Sequence, residues 1–263
     1  MLFSWFKRRA RRTVMAQPLP DAWLEVLRSN VEFWPLLTPA EQTQLEDRIQ
    51  VLVGEKHWEG CAGLTMTPEI QVTVAAQAAL LILAIPHDFY GNVKSILVYP
   101  RSYVLPRRNH GPAGVVHHED VAAQGSAHHG GPVVLSWDNA RAGGKNAKDG
   151  RNLVFHEFAH KLDMLDGLVD GTPELDNNQE FQAWIAVMTA EYDALQADLK
   201  KGRRTLLDAY AATNVGEFFA VATEVFFEKP RQMREQRPDF YGVMRDFYEQ
   251  DPAARLDAAG VAR

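Results

Sequence analysis

The run TPEIQVTVAAQAALLILAI, residues 67 to 85, leaves a folded chain few options. From Val72 onward it is apolar on almost every side, with Gln77 as the main interruption. A helix of that kind has to be covered all round. The apolar segment is only about 14 residues long, too short to span a bilayer, so the spacing predicts a buried core helix with other elements wrapped around it. Thr67, Pro68 and Glu69 mark its start. The same device, Thr38, Pro39 and Glu41, opens a helix over 38 to 56 that places Leu45, Ile49, Leu52 and Val53 on one face. With 263 residues, 46% of them apolar, the chain can build one substantial core or two smaller ones.

VKSILVYP (93 to 100) and GPVVLSW (131 to 137) read as strands. About 30 residues rich in Gly, Pro and His lie between them, which reads as an irregular functional loop. The stretch 110 to 131 is expected to be a mobile cover over a cleft. From about residue 149 the pattern turns helical. Strands before helices predict an α+β domain with a small mixed sheet, preceded by a helical N-terminal part. The expected division is a basic, disordered tail over 1–20, a helical part over 21–90, a catalytic part over 91–250 packed as one unit with it, and a flexible tail over 251–263.

In the first of these segments Lys7, Arg8, Arg9, Arg11 and Arg12 follow the apolar residues instead of preceding them, which is not the order of an export signal. The segment is expected to be solvated, with contact to anionic lipid or an acidic protein surface as the alternative. A formal charge of −6 and a pI near 5.9 provide no broad basic field, so direct nucleic-acid binding is not expected. The single cysteine, Cys61, excludes an internal disulfide and a Cys-rich zinc framework, and fits a reducing, cytoplasmic setting.

The chemistry concentrates in NLVFHEFAHKLD, residues 152 to 163. His156 and His160 stand four apart on one helix face, so both imidazoles can reach one ion, and Glu157 sits where it can take a proton from a metal-activated water. A catalytic zinc needs a third protein ligand. No histidine follows His160, so a downstream ligand must be a carboxylate. One route is Asp166, six residues on, although Asp163 occupies the position where a glycine would help the chain turn back. The other is YAATNVGEFFAVATE (210 to 224), where Tyr210, Glu217 and Glu224 recur every seven residues and can share a helix face. Glu224 is either support for a ligand or surface. Asp163 is a candidate to orient an imidazole, and Asp166 and Asp170 are candidates for other supporting roles.

HEFAHKLDMLDG and DAYAATNVGEFFAVATEVFF, together with EGCAGL (59 to 64), SILVYP and GPVVLSW, resemble the Mlc titration factor A family of bacterial zinc metallopeptidases, relatives of the anthrax lethal factor catalytic domain within the gluzincins. The likeness covers roughly residues 35 to 250. It implies a zincin-like catalytic part with one zinc ion held by His156, His160 and Glu217, Glu157 as general base, and Tyr210 as the phenol that steadies the oxyanion. It also implies aminopeptidase-like activity on peptide substrates and binding of the transcriptional repressor Mlc, which regulates glucose phosphotransferase genes. HHEDVAAQGSAHHGG (117 to 131), with His117/His118 and His128/His129, is less familiar, and the paired histidines are candidates for adventitious metal or loop contacts. Val133 to Ser136 is a candidate strand for pairing with an extended peptide. Two further readings stand beside the peptidase: a repressor-titrating binding protein whose hydrolysis is incidental, and a purely structural metal. His57 and His87 are expected to be surface or satisfied core residues.

Overall fold

The structure, a computed structural model, describes residues 2–110, 116–123, 125–127 and 131–261. It is predominantly helical with a small mixed sheet. At its centre lies α4 (Pro68–Leu81), in which every residue from Val72 to Leu81 is buried. Helices α2 (Asp21–Asn30), α3 (Pro39–Glu55), α5 (Trp137–Lys145) and α6 (Leu153–Asp163) all pack on it, which is the surround that its apolar circumference demands. The helix stops at Leu81, with Ile82 as its C-cap, and Pro86 keeps Ile85 from resuming it.

The few polar groups on α4 mark where its neighbours dock. Gln77 Nε2 donates to the Ala140 carbonyl of α5 at 3.0 Å, and Asn30 Nδ2 of α2 donates to Thr73 Oγ1 at 3.0 Å. Gly144 of α5 is required by close approach, since a Cβ there would lie 2.5 Å from the Asn30 carbonyl oxygen. Helix α3 begins with a complete capping box between Thr38 and Glu41 and buries Leu45, Ile49 and Leu52, with Val53 partly covered.

The sheet runs β1-β2-β6-β5. Strands β1 (His57–Gly60), β2 (Ser95–Tyr99) and β6 (Val133–Ser136) are parallel, in the register Trp58↔Ile96 and Ile96↔Val133. Strand β5 (Gly125–Ala127) runs antiparallel on β6. Between β2 and β5 the chain forms a separate antiparallel pair, β3 (Tyr103–His110) with β4 (Val116–Ala123), in the register Tyr103↔Ala123. This corrects the irregular loop expected there. Pro106 and the charged residues Arg107, Arg108, Glu119 and Asp120 disguise the alternation by which a strand is recognised in sequence. Residues 111–115, 124 and 128–130, on which the expected cover also falls, lie outside the described residues.

Both ends of the chain are more structured than their composition predicts. Residues Leu2–Met15 form α1, held to the body by Arg11. That guanidinium is buried, bonds Glu55 through Nε at 2.6 Å and Nη2 at 2.8 Å, bonds Asp88 through Nη1 at 2.6 Å, and lies 4.3 Å from the Phe89 ring centroid. At the other end α11 (Pro252–Ala258) is capped by Asp251 and tied to α3 by Arg255 and Glu41, 2.5 Å apart. The helical second half comprises α6, α7 (Asn178–Lys200), α8 (Val215–Glu228), α9 (Pro230–Gln236) and α10 (Pro238–Tyr248). Among the described residues no helix is long and apolar enough to cross a membrane.

Candidate metal centre

The site is built on the contact between α6 and α8. Asn152 caps α6, its side-chain oxygen accepting from the Phe155 N–H at 3.0 Å. Phe155 packs on Phe227 of α8, and Phe158 packs edge-on against Tyr90, with centroids 5.4 and 4.7 Å apart. With these aromatic faces buried, the histidine face of α6 turns toward the start of α8. Asn214 caps that helix by accepting from the Glu217 N–H at 2.9 Å, so Glu217 lies in the first turn, where the helix dipole favours a carboxylate.

The outcome is a convergence of three donors. Glu217 Oε2 lies 3.0 Å from His156 Nε2 and 3.4 Å from His160 Nε2, and the two imidazole nitrogens are 3.2 Å apart. Glu217 Oε2 is buried without a hydrogen bond, and one ligand atom from each residue falls within 4.8 Å of the others. Two imidazoles and one carboxylate turned on a common point form a donor set suited to a divalent cation such as zinc. Among the described residues this is the one such group of three or more.

Carboxylates behind the donors hold them in place. Glu224 Oε1 lies 2.8 Å from His156 Nδ1, while its Oε2 accepts from the Asn152 N–H at 2.5 Å. In the neutral imidazole, the form that binds a metal, this contact draws the proton to Nδ1 and leaves the Nε2 lone pair facing the centre. One turn further along α8, Glu228 Oε2 accepts from the N–H groups of Gly150 and Arg151, both at 2.9 Å. Gly150, at φ +77, gives the approach to α6 the turn this requires. Sequence reasoning left Glu224 open between support and surface, and missed Glu228, although the spacing 217, 224, 228 traces one helix stripe.

The electrostatics follow from burial among like charges. Burial raises the Glu157 carboxyl to about 8, with Glu217 and Glu224 adding to the shift and His156 opposing it. Burial disfavours the His156 cation, but pairing with Glu217 and Glu224 outweighs this and lifts the group to about 10. Burial would also raise Glu217, yet the two histidines hold it well below the usual carboxylate range.

Other predicted site residues fall differently. Tyr210 is not on the same helix as Glu217 and Glu224. The chain breaks at the Asn214 cap, and Tyr210 lies on a separate 3-10 turn, Ala209–Ala212. Asp208 caps that turn and pairs with Arg151 at 2.6 Å, which still brings the Tyr210 ring within 6.0 Å of the His156 ring while leaving the side chain 53% exposed. Asp166 is exposed, accepts from the Leu168 N–H at 2.8 Å and has no part in the donor group. Asp163 is fully buried beneath Gly216 but does not orient His160, whose Nδ1 has no hydrogen-bond partner. Asp170 caps a local turn through the Thr172 N–H. His57 is exposed and His87 accepts from the Phe89 N–H. His117 and His118 lie on β4, opposite Asn109 and Arg108. His128 and His129 lie outside the described residues.

A fold of this kind with such a donor group is that of a metallopeptidase, and the sequence profile of the glucose-regulated metallo-peptidase M90 family matches residues 5–249; the chain belongs to that family. It is 34% identical over 249 residues to "Uncharacterized protein slr2042" of Synechocystis sp., covering 94% of this chain and 90% of that protein. It is 34% identical over 224 residues to the Mlc titration factor A of Edwardsiella ictaluri, covering 84% and 85%. Against the Mlc titration factor A of Yersinia pestis the identity is 30% over 255 residues, covering 96% and 91%.

Proposed function

We propose that the protein is a zinc-dependent, aminopeptidase-like peptidase, with His156, His160 and Glu217 as ligands and Glu157 as general base. The observation that supports it best is the meeting of His156 Nε2, His160 Nε2 and Glu217 Oε2 beside the buried Glu157 carboxyl. When bound, zinc supplies Lewis acidity toward a water and a peptide carbonyl. Glu157, buried directly after the ligand His156, would take a proton from the attacking water and return it to the departing amine. Tyr210 donates to the oxyanion from beside His156. An extended peptide would pair with β5 and not with Val133 to Ser136, because β6 has β2 on one side and β5 on the other, whereas among the described residues β5 ends the sheet.

The name Mlc titration factor A borne by two of the relatives supports a second role, binding of an Mlc-type transcriptional repressor; the family resemblance extends it to control of glucose phosphotransferase genes in the cytoplasm. On that reading hydrolysis is incidental. Glu157→Gln separates the two, because it should abolish hydrolysis while leaving metal and repressor binding in place. The peptidase reading is tested by elemental analysis of the purified protein, with assays before and after chelation. One zinc per chain and activity lost on chelation and restored by zinc are expected; an active metal-free protein overturns the reading. Retention of full zinc occupancy in both His156→Ala and His160→Ala would refute the ligand assignment.

A further inference from the structure

We propose that α1 is a binding element for anionic lipid surfaces. The helix carries five basic residues between Lys7 and Arg12, and the first 20 residues of the chain contain no acidic one, in a protein whose formal charge is −6. The structure divides these cations between two tasks. Arg11 faces the body, with Glu55 and Asp88 as partners, and Lys7, one turn earlier, lies 3.8 and 3.3 Å from the same two carboxylates. Arg8, Arg9 and Arg12 are exposed. At 100° per residue they span one arc of the helix, turned away from the face that Lys7 and Arg11 anchor.

The buried Arg11 contacts therefore fix the face of the helix from which the outer arginines project. The helix opens with the sequence Leu-Phe-Ser-Trp-Phe. Aromatic and aliphatic residues followed by clustered arginine suit the boundary between headgroups and acyl chains. That chemistry favours a bilayer over nucleic acid, which requires a wider basic surface than one helix of an acidic protein offers. It favours a bilayer over an acidic protein because charge complementarity alone assigns no use to the apolar opening. The helix is a surface contact, consistent with the absence of a crossing helix among the described residues.

The test is co-sedimentation of the full chain with vesicles of phosphatidylcholine alone or mixed with phosphatidylglycerol. Binding to the mixed vesicles only is expected, weakening as salt is added. Neutralising the three exposed arginines together (R8Q, R9Q, R12Q) should raise the lipid concentration for half-binding by about a hundredfold, at roughly fivefold per charge, while Arg11 keeps its pairs with Glu55 and Asp88. Trp5→Ser should weaken binding further in that background. No sedimentation with anionic vesicles at low salt, or equal binding by the triple variant, overturns the proposal. Retention on polyglutamate or DNA without vesicle binding overturns it too, by giving the helix a different partner.

Discussion

Glu224 offers the sharpest test of how α8 sets up the metal centre. Its two oxygens serve two different donors, His156 Nδ1 at 2.8 Å and the Asn152 N–H at 2.5 Å. Glu224→Gln keeps the shape but has only one oxygen, so its amide NH2 must face one of these donors. Facing Asn152 it leaves that buried N–H unpaired, which costs about 1–3 kcal/mol of stability; facing His156 it donates to Nδ1 and moves the imidazole proton to Nε2, on the metal side. Glu224→Ala leaves both unpaired. Loss of an outer carboxylate behind a ligating histidine lowers metal affinity about 10- to 100-fold, equivalent to about 1.4–2.7 kcal/mol. Competition for zinc against a chromophoric chelator measures the affinity, and urea unfolding of the metal-free protein measures the stability. Zinc binding as tight as wild type in both variants would show that His156 is held by packing alone.

The remaining predictions concern single sites. Tyr210→Phe should retain zinc by elemental analysis while hydrolysis slows about ten- to a thousandfold, as for a lost oxyanion donor; an unchanged rate removes Tyr210 from the reaction. Burial raises the Glu228 carboxyl from 4.5 to about 9 despite its bonds to Asn152 and Arg151. The folded state therefore holds a proton that the unfolded chain releases above 4.5, and stability should fall as pH rises between those values. Glu228→Gln should flatten that decline when urea midpoints are compared at about pH 6 and about pH 8. Gly144→Ala should cost about 1–3 kcal/mol through overpacking, because its Cβ meets the Asn30 carbonyl oxygen at 2.5 Å; an unshifted urea midpoint would mean that α5 moves away freely.

Where local rules and tertiary demands agree, the fold could be read directly from the residues. Thr38 with Glu41 placed the start of α3, and the apolar run from Val72, interrupted mainly by Gln77, marked α4 as a buried core helix. His156, Glu157 and His160 were visible because their spacing is local to one helix. Glu217 required an inference across the chain, since nothing local distinguishes a donor from a solvated glutamate. The break before α8 was also legible in principle, because Asn214 followed three residues later by Glu217 is a start signal, but the seven-residue recurrence of Tyr210 concealed it. Strand β5, Gly-Ser-Ala, has no side chains that favour a strand and exists because β6 pairs with it. The order in α1 depends on Arg11 meeting Glu55 and Asp88, a pairing that a count of charges cannot show.

The division of the donors between α6 and α8 bears on how the protein gains and loses its ion. An unfolded or partly folded chain has only the neighbouring pair His156 and His160, because Glu217 arrives on a helix that follows all of α7. Tight binding must await docking of α8, so metal acts by mass action on the docked state alone. Contacts completed late in folding chiefly slow unfolding and do little to speed folding. Metal supply then governs how long each molecule survives as well as whether it can act. Removing the ion should then speed unfolding of the purified protein, which proteolysis with and without a chelator would register.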